Sequence, residues 1–254
     1  MIDIHSHILP GIDDGAQTVE DSINMAKLAV EEGITKIIAT PHHQNGKYNN
    51  KKHDIISRVS DLNQILQNEK IPLEVLPGQE TRIYGEMTDD IDKGEILPLN
   101  HTNYLFIELP SGHIPRYTEQ LLFDIQLKGF TPIIVHPERN SGVMENPDKL
   151  LHLVKKGALT QVTAGSVTGY FGKKIQRLSK QLIEANMTHF ISSDAHNVTN
   201  RSFHIRESIA EVNKEFGSQA VYYFQENAEL VAKGQTIYKS EPSSIKRKKF
   251  LGIF

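Results

Sequence analysis

The chain has 254 residues, 38% of them apolar, which suits one large α/β domain with a substantial core. A formal net charge of −3 gives no electrostatic reason to expect nucleic acid as a partner. Cysteine is absent, which excludes disulfides, thiolate metal sites and any thiol nucleophile.

No basic-then-apolar leader opens the sequence, and no apolar run reaches the roughly 20 residues of a membrane span, so a cytoplasmic location is expected. The first buried strand is predicted at Ile2–His5. It carries His5 and His7 at i and i+2, and on a strand such positions face one point. Gly11-Ile12-Asp13-Asp14-Gly15 follows, a glycine-rich acidic turn that composition alone explains as well as ligation does. Thr18, with Asp21 three residues on, is predicted to cap a helix that Gly33 stops, with Val19, Ile23, Ala26 and Val30 as its core stripe. A second strand, Ile34–Thr40, leads to Pro41-His42-His43, where adjacent side chains diverge and only one imidazole can enter a site.

A second helix after Lys52 presents Ile55, Val59, Leu62 and Leu66, and a strand at Leu73–Leu76 leads to Gly78-Gln79-Glu80. Arg82–Leu99 reads as a short helix with irregular chain. Strands then follow at Tyr104–Leu109 with Glu108, at Thr131–His136, at Leu159–Thr163 and at His189–Ser192. Asp194-Ala195-His196 repeats the i, i+2 geometry, and Ile205, Ile209, Val212 and Phe216 mark a late helix. The expected division is a barrel over residues 1–238 and a tail over 239–254. Lys246-Arg247-Lys248-Lys249 and the apolar residues after it suit a flexible tail or a weak contact with an anionic membrane surface.

Nine potential metal ligands thus stand near strand ends: His5, His7, Asp14, His42, Glu80, Glu108, His136, Asp194 and His196. Glu80 and Glu108 end apolar strands, where an unpaired carboxylate would be costly and a cation would explain it. Every strand but the sixth is followed by a candidate. Convergence from so many strand ends favours a barrel of parallel strands over an open sheet, which gathers ligands at one switch point. Imidazole and carboxylate without sulfur favour Mn²⁺, Fe²⁺ or Zn²⁺ in a multinuclear hydrolytic site. His53, His101, His113, His152, His189 and His204 lack such context and read as surface or packing residues.

The ordered set His5-Ser-His7, Gly-Ile-Asp-Asp14-Gly, Thr-Pro-His42, Gly-Gln-Glu80, Ile-Glu108, Val-His136-Pro-Glu-Arg139 and Ser-Asp194-Ala-His196 resembles the PHP (polymerase and histidinol phosphatase) superfamily. Within it the chain looks like the bacterial manganese-dependent protein-tyrosine phosphatases of capsule and exopolysaccharide operons, the CpsB/YwqE type. The resemblance implies a distorted (β/α)₇ barrel with three metals at the C-terminal strand ends. His5, His7, Glu80 and Asp194 would hold the first, a bridging Glu80 with Glu108 and His136 the second, and Asp14, His42 and His196 the third. It implies that Arg139 grips the phosphate, that a metal-bridging hydroxide attacks phosphorus, and that His42 or His196 protonates the leaving group. The implied substrates are a phosphorylated bacterial tyrosine kinase and its protein targets. A small-molecule phosphatase such as histidinol phosphatase and a silent metal-binding scaffold are the alternative readings.

Overall fold

The computed structural model describes residues 1–245 of the chain. Strand β1 (Ile2–Ser6) leads to helix α1 (Val19–Glu31), then to β2 (Lys36–Ala39) and the two-residue β3 (His42–His43). Helix α2 (Lys52–Asn68), β4 (Glu74–Pro77), β5 (Glu80–Arg82) and α3 (Met87–Asp92) come next. A 3-10 turn at Leu99–His101 precedes β6 (Tyr104–Glu108), α4 (Thr118–Leu127) and β7 (Thr131–Val135). A second 3-10 turn, Pro137–Arg139, runs into α5 (Ser141–Glu145), α6 (Asp148–Lys155), β8 (Leu159–Thr163) and α7 (Ala164–Thr168). The chain continues through α8 (Lys173–Glu184), β9 (Phe190–Ser192), α9 (Ile205–Phe216) and α10 (Ser218–Ala232).

All strand pairings are parallel, in one sheet of order β1-β2-β4 and another of order β3-β5-β6-β7-β8-β9. The two sheets are one circuit cut twice. Where a single strand was expected at Ile34–Thr40, Pro41 separates β2 from β3, because proline offers no N–H to the ladder. Gly78 separates β4 from the unanticipated β5. A Cβ there would lie 2.7 Å from Ile38 Cγ2, so the neighbouring strand needs glycine. At the far edge a parallel bridge joins Ala195 to Ser6, with His7 N–H donating to Ala195 O (2.8 Å) and Asp194 N–H to His5 O (2.9 Å). Seven strand positions therefore run round a distorted barrel.

An apolar cluster gathers Ile4, Ile38, Phe106, Ile133, Val135, Leu159 and Phe190 from around the ring. Two positions beyond several of them stand polar groups: Glu108 after Phe106, Gln161 after Leu159, Ser192 and then Asp194 after Phe190. Alternation along a strand keeps these on one face, so the barrel passes from apolar floor to polar mouth. The helices cover the outside through two further apolar clusters. Thr18 caps α1 as expected: its hydroxyl accepts from Asp21 N–H (3.1 Å), while the Asp21 carboxylate accepts from Thr18 N–H (2.9 Å). The α1 stripe is shifted from the expected one. Val19, in the first turn, is 43% exposed, and Met25 and Ala29 join Ile23 and Ala26 in the interior. After α10, Ser243 N–H donates to Ala185 O (2.9 Å) and Asn186 Nδ2 to Glu241 O (3.1 Å), so residues up to 245 run along the barrel. The basic cluster that begins at Lys246 lies outside the described residues.

Candidate metal centre

His5 in β1 and His7 just beyond its end converge as their spacing predicts, despite a register shift between Asp3 and Ser6. His5 Nε2 and His7 Nε2 are 3.4 Å apart. Each lies 3.3 Å from Asp194 Oδ1, with Glu80 Oε2 at 3.4 Å from His5 and 3.3 Å from His7. Asp14, on the acidic turn, lies 3.3 Å from both His42 Nε2 and His196 Nε2, and His7 belongs to the same group. A third group joins His42 to Glu80 and Glu108. His136 Nε2 meets Glu80 Oε1 at 2.7 Å, so it adjoins this group as well. His43 belongs to none of these groups, and burial lowers the pKa of its imidazole.

Divalent cations fit this geometry. An ion about 2.1 Å from four ligand atoms at tetrahedral corners would set them about 3.4 Å apart. That is the spacing found around His5, His7, Glu80 and Asp194. Buried His42 Nδ1, Glu80 Oε2 and His196 Nε2 have no hydrogen-bond partner. The first two approach to 2.9 Å without hydrogen-bond alignment, as two ligands aimed at one point do.

Protons otherwise have to balance the charge. Burial is the largest single influence on His42 and works against its charged form, yet the Glu80 charge together with hydrogen bonding to Asp14 and Glu80 holds that imidazole up to about 10. Burial likewise opposes ionisation of Glu80 and Asp194. His42 and His5 keep the first well below the usual carboxylate range, and Arg139 does so for the second. Glu108 moves the other way, raised by burial and by the charge of Glu80, against the pull of Arg82. His136 falls to about 4 through burial and Arg139, and His196 to about 4 through burial and His7.

Several functional residues escape sequence reasoning. Asp13, buried beside the exposed Asp14, accepts from His7 Nδ1 (2.7 Å), Gly15 N–H (2.9 Å) and His42 N–H (3.2 Å). Gln161 Oε1 lies 2.8 Å from His5 Nδ1, which gives the sixth strand its part in the site. Such partners fix which ring nitrogen is turned to a cation. The Asp13-Asp14 doublet was the available signal for one of them; nothing in the sequence marks Gln161. Arg82 grips Glu108 with two bonds of 2.8 and 2.9 Å. Arg139 Nη2 donates to Asp194 Oδ2 (2.6 Å) and Arg201 Nη2 to the same oxygen (3.0 Å). Both guanidiniums line a cleft of about 320 Å³ with His42, Glu108, His136 and Asp194. His136 (φ 37°) and Asp194 (φ 52°), two of the site residues, occupy the left-handed backbone region.

Residues 1–233 match the family model described as capsular polysaccharide synthesis, CpsB/CapC. The tyrosine-protein phosphatase YwqE of Bacillus subtilis strain 168 is 53% identical over 254 residues, all of both chains. The CapC protein of Staphylococcus aureus is 38% identical over the same full lengths. A solved structure of B. subtilis YwqE, described as a metal-dependent tyrosine phosphatase, superposes with a TM-score of 0.95. It is 53% identical and covers 97% of this chain and 100% of its own.

The turn that carries Asp13 and Asp14 depends on Gly15, whose Cβ would lie 2.0 Å from His7 O and 2.4 Å from His7 Cβ. Gly15→Ala should keep the far-ultraviolet circular dichroism of the fold while weakening Mn²⁺ binding about 10–100-fold in a calorimetric titration. Unchanged affinity would show that the turn does not govern the site.

Proposed function

The chain belongs to the CpsB/CapC family, and from that membership we propose a metal-dependent tyrosine-protein phosphatase whose centre takes three divalent cations, manganese foremost. The observation that carries the reading is the set of three imidazole–carboxylate groups linked through His7, His42 and Glu80, with orphaned ligand atoms, beside a cleft lined by two arginines. Fe²⁺ and Zn²⁺ suit the same donors.

His5, His7, Glu80 and Asp194 would hold one cation. Asp14, His42 and His196, with His7 within reach, would hold another, and Glu80, Glu108 and His42 or His136 the third. Bound there, the cations would make water acidic enough to serve as a nucleophile near neutral pH and offset the charge of a phosphate. With no cysteine, the chain has no thiolate route to the same reaction.

The residues themselves do the orienting. Arg139 commits one nitrogen to Asp194 and keeps the rest of its planar fork on the cleft, suited to two phosphate oxygens. Arg201, on the turn that follows β9, adds a second positive charge at that edge. His42 and His196 were expected as proton donors to the leaving group. Both nitrogens of His42 face carboxylates (2.9 and 3.3 Å). His196 has Nδ1 2.9 Å from Asp194 O and Nε2 on Asp14. We therefore assign them to holding cations. A phenol leaves near its own pKa of about 10, so a solvent proton suffices.

The substrates of this reading are tyrosine-phosphorylated proteins, first an autophosphorylating bacterial tyrosine kinase of polysaccharide export and its targets. Side chains of Asp14 (43% exposed) and Arg201 (30%) leave the cleft rim open to a protein segment, which favours this over histidinol phosphate. Among the described residues no helix is long and apolar enough to cross a membrane. A cytoplasmic location suits substrates phosphorylated there, and the basic tail provides weak contact with the membrane surface that bears such a kinase.

Treatment with a chelator should abolish hydrolysis of a phosphotyrosine peptide, and added Mn²⁺ should restore it. Full turnover in protein shown by elemental analysis to be free of metal would overturn the proposal. Arg139→Ala should lower kcat on the order of 10²–10³-fold while the metal content measured by elemental analysis stays unchanged. Near-normal turnover at saturating Mn²⁺ would remove Arg139 from the phosphate site, and loss of metal would make it structural.

A further inference from the structure

Next to Arg139 lies an aromatic surface that none of the chemistry above uses. The link between α7 and α8 is Gly169-Tyr170-Phe171-Gly172, and both glycines sit at positive φ (89° and 95°). It is tied down at Tyr170 N–H, which donates to Gly165 O (2.8 Å), and at Gly172 N–H, which donates to Gly169 O (2.9 Å). Phe171 tucks inward: a Cβ on Gly165 would come within 3.1 Å of its ring, and the Arg139 guanidinium carbon lies 5.6 Å from its centroid on the other side. Tyr170 turns outward and stays 50% exposed. Its ring stands edge-on to Phe171 at 5.8 Å and leans on His204 at 4.6 Å. An ordered, half-exposed tyrosine wedged between two rings is a preformed contact surface, since its side-chain entropy is already spent.

The charge beside it points to the occupant. Lys173 and Lys174, the next two residues after Gly172, are exposed and make no ion pair among the described residues. Contacts of 5.6 and 5.8 Å in succession lead from Arg139 to Tyr170, and three residues of extended peptide span about 10 Å. A phosphate at Arg139 therefore leaves the neighbouring residues of its own chain within reach of the Tyr170 ring, with the two lysines three and four residues further along the sequence.

We propose that Tyr170, Lys173 and Lys174 form a docking ledge for the acidic peptide segment that flanks a substrate phosphotyrosine. The ledge discriminates among protein substrates and is not used by a free aryl phosphate. This rests on the phosphatase reading, which turnover of a small aryl phosphate by the unaltered enzyme tests separately.

The test uses the Mn²⁺-loaded enzyme, Tyr170→Ala and the double variant Lys173→Glu/Lys174→Glu. Turnover of p-nitrophenyl phosphate is measured beside anisotropy binding of a non-hydrolysable phosphonotyrosine peptide with glutamates on both sides. Both variants should keep aryl phosphate turnover and bind the acidic peptide about five- to tenfold more weakly. A peptide with serines for the glutamates should lose affinity on Tyr170→Ala but hardly respond to the lysine changes. Unaltered peptide binding in both variants overturns the ledge. So does a parallel fall of aryl phosphate turnover in both, which would make the segment part of the catalytic frame. A changed oligomeric state by sedimentation with peptide binding intact would assign the surface to a second copy of the chain.

Discussion

Glu80 is a carboxylate with no solvent exposure, placed in the barrel mouth within 3.4 Å of His5 and His7 and 2.9 Å of His42. Its neighbours include three more carboxylates, Asp14, Glu108 and Asp194. Burying even one such charge costs several kcal/mol unless a partner compensates. The site meets that cost in layers. Arg82 holds Glu108, and Arg139 and Arg201 hold Asp194. What remains unmatched is a set of lone pairs aimed inward, which divalent cations satisfy better than protons do because each can serve several donors at once.

The barrel makes that concentration possible. No single element could bring nine ligand candidates together, whereas strand ends around a ring deliver one or two side chains each. The breaks at Pro41 and Gly78 serve the same end. They let β2 and β4 finish early and let β3 and β5 restart at His42 and Glu80, re-aimed into the mouth. Left-handed backbone at His136 and Asp194 does likewise at the ends of β7 and β9. Beneath them the packed floor of Phe106, Ile133 and Phe190 keeps the strands from relaxing, so the strain is borne by the whole ring.

Much of this was legible because strand periodicity is short and rigid. His5 with His7 converge from two-residue spacing alone, and Glu108 follows Phe106 onto the same face. Thr18 and Asp21 announce the start of α1 through a local hydrogen-bond pattern that needs no tertiary context. What escaped the sequence depends on contacts between distant segments. Gln161 meets His5, and Arg201 meets Asp194 across a turn; neither pairing has a local pattern. The short β5 was hidden because its pairing with β3 and β6, not its composition, makes it a strand.

The central claim is that these groups form one three-cation centre organised by Glu80. Crystals of the full chain grown with Mn²⁺ and measured at the manganese absorption edge test it directly. The account predicts three anomalous peaks, one in each imidazole–carboxylate group, with Glu80 in contact with two of them. Peaks outside these groups, or a fully active crystal form with a single peak, would contradict it.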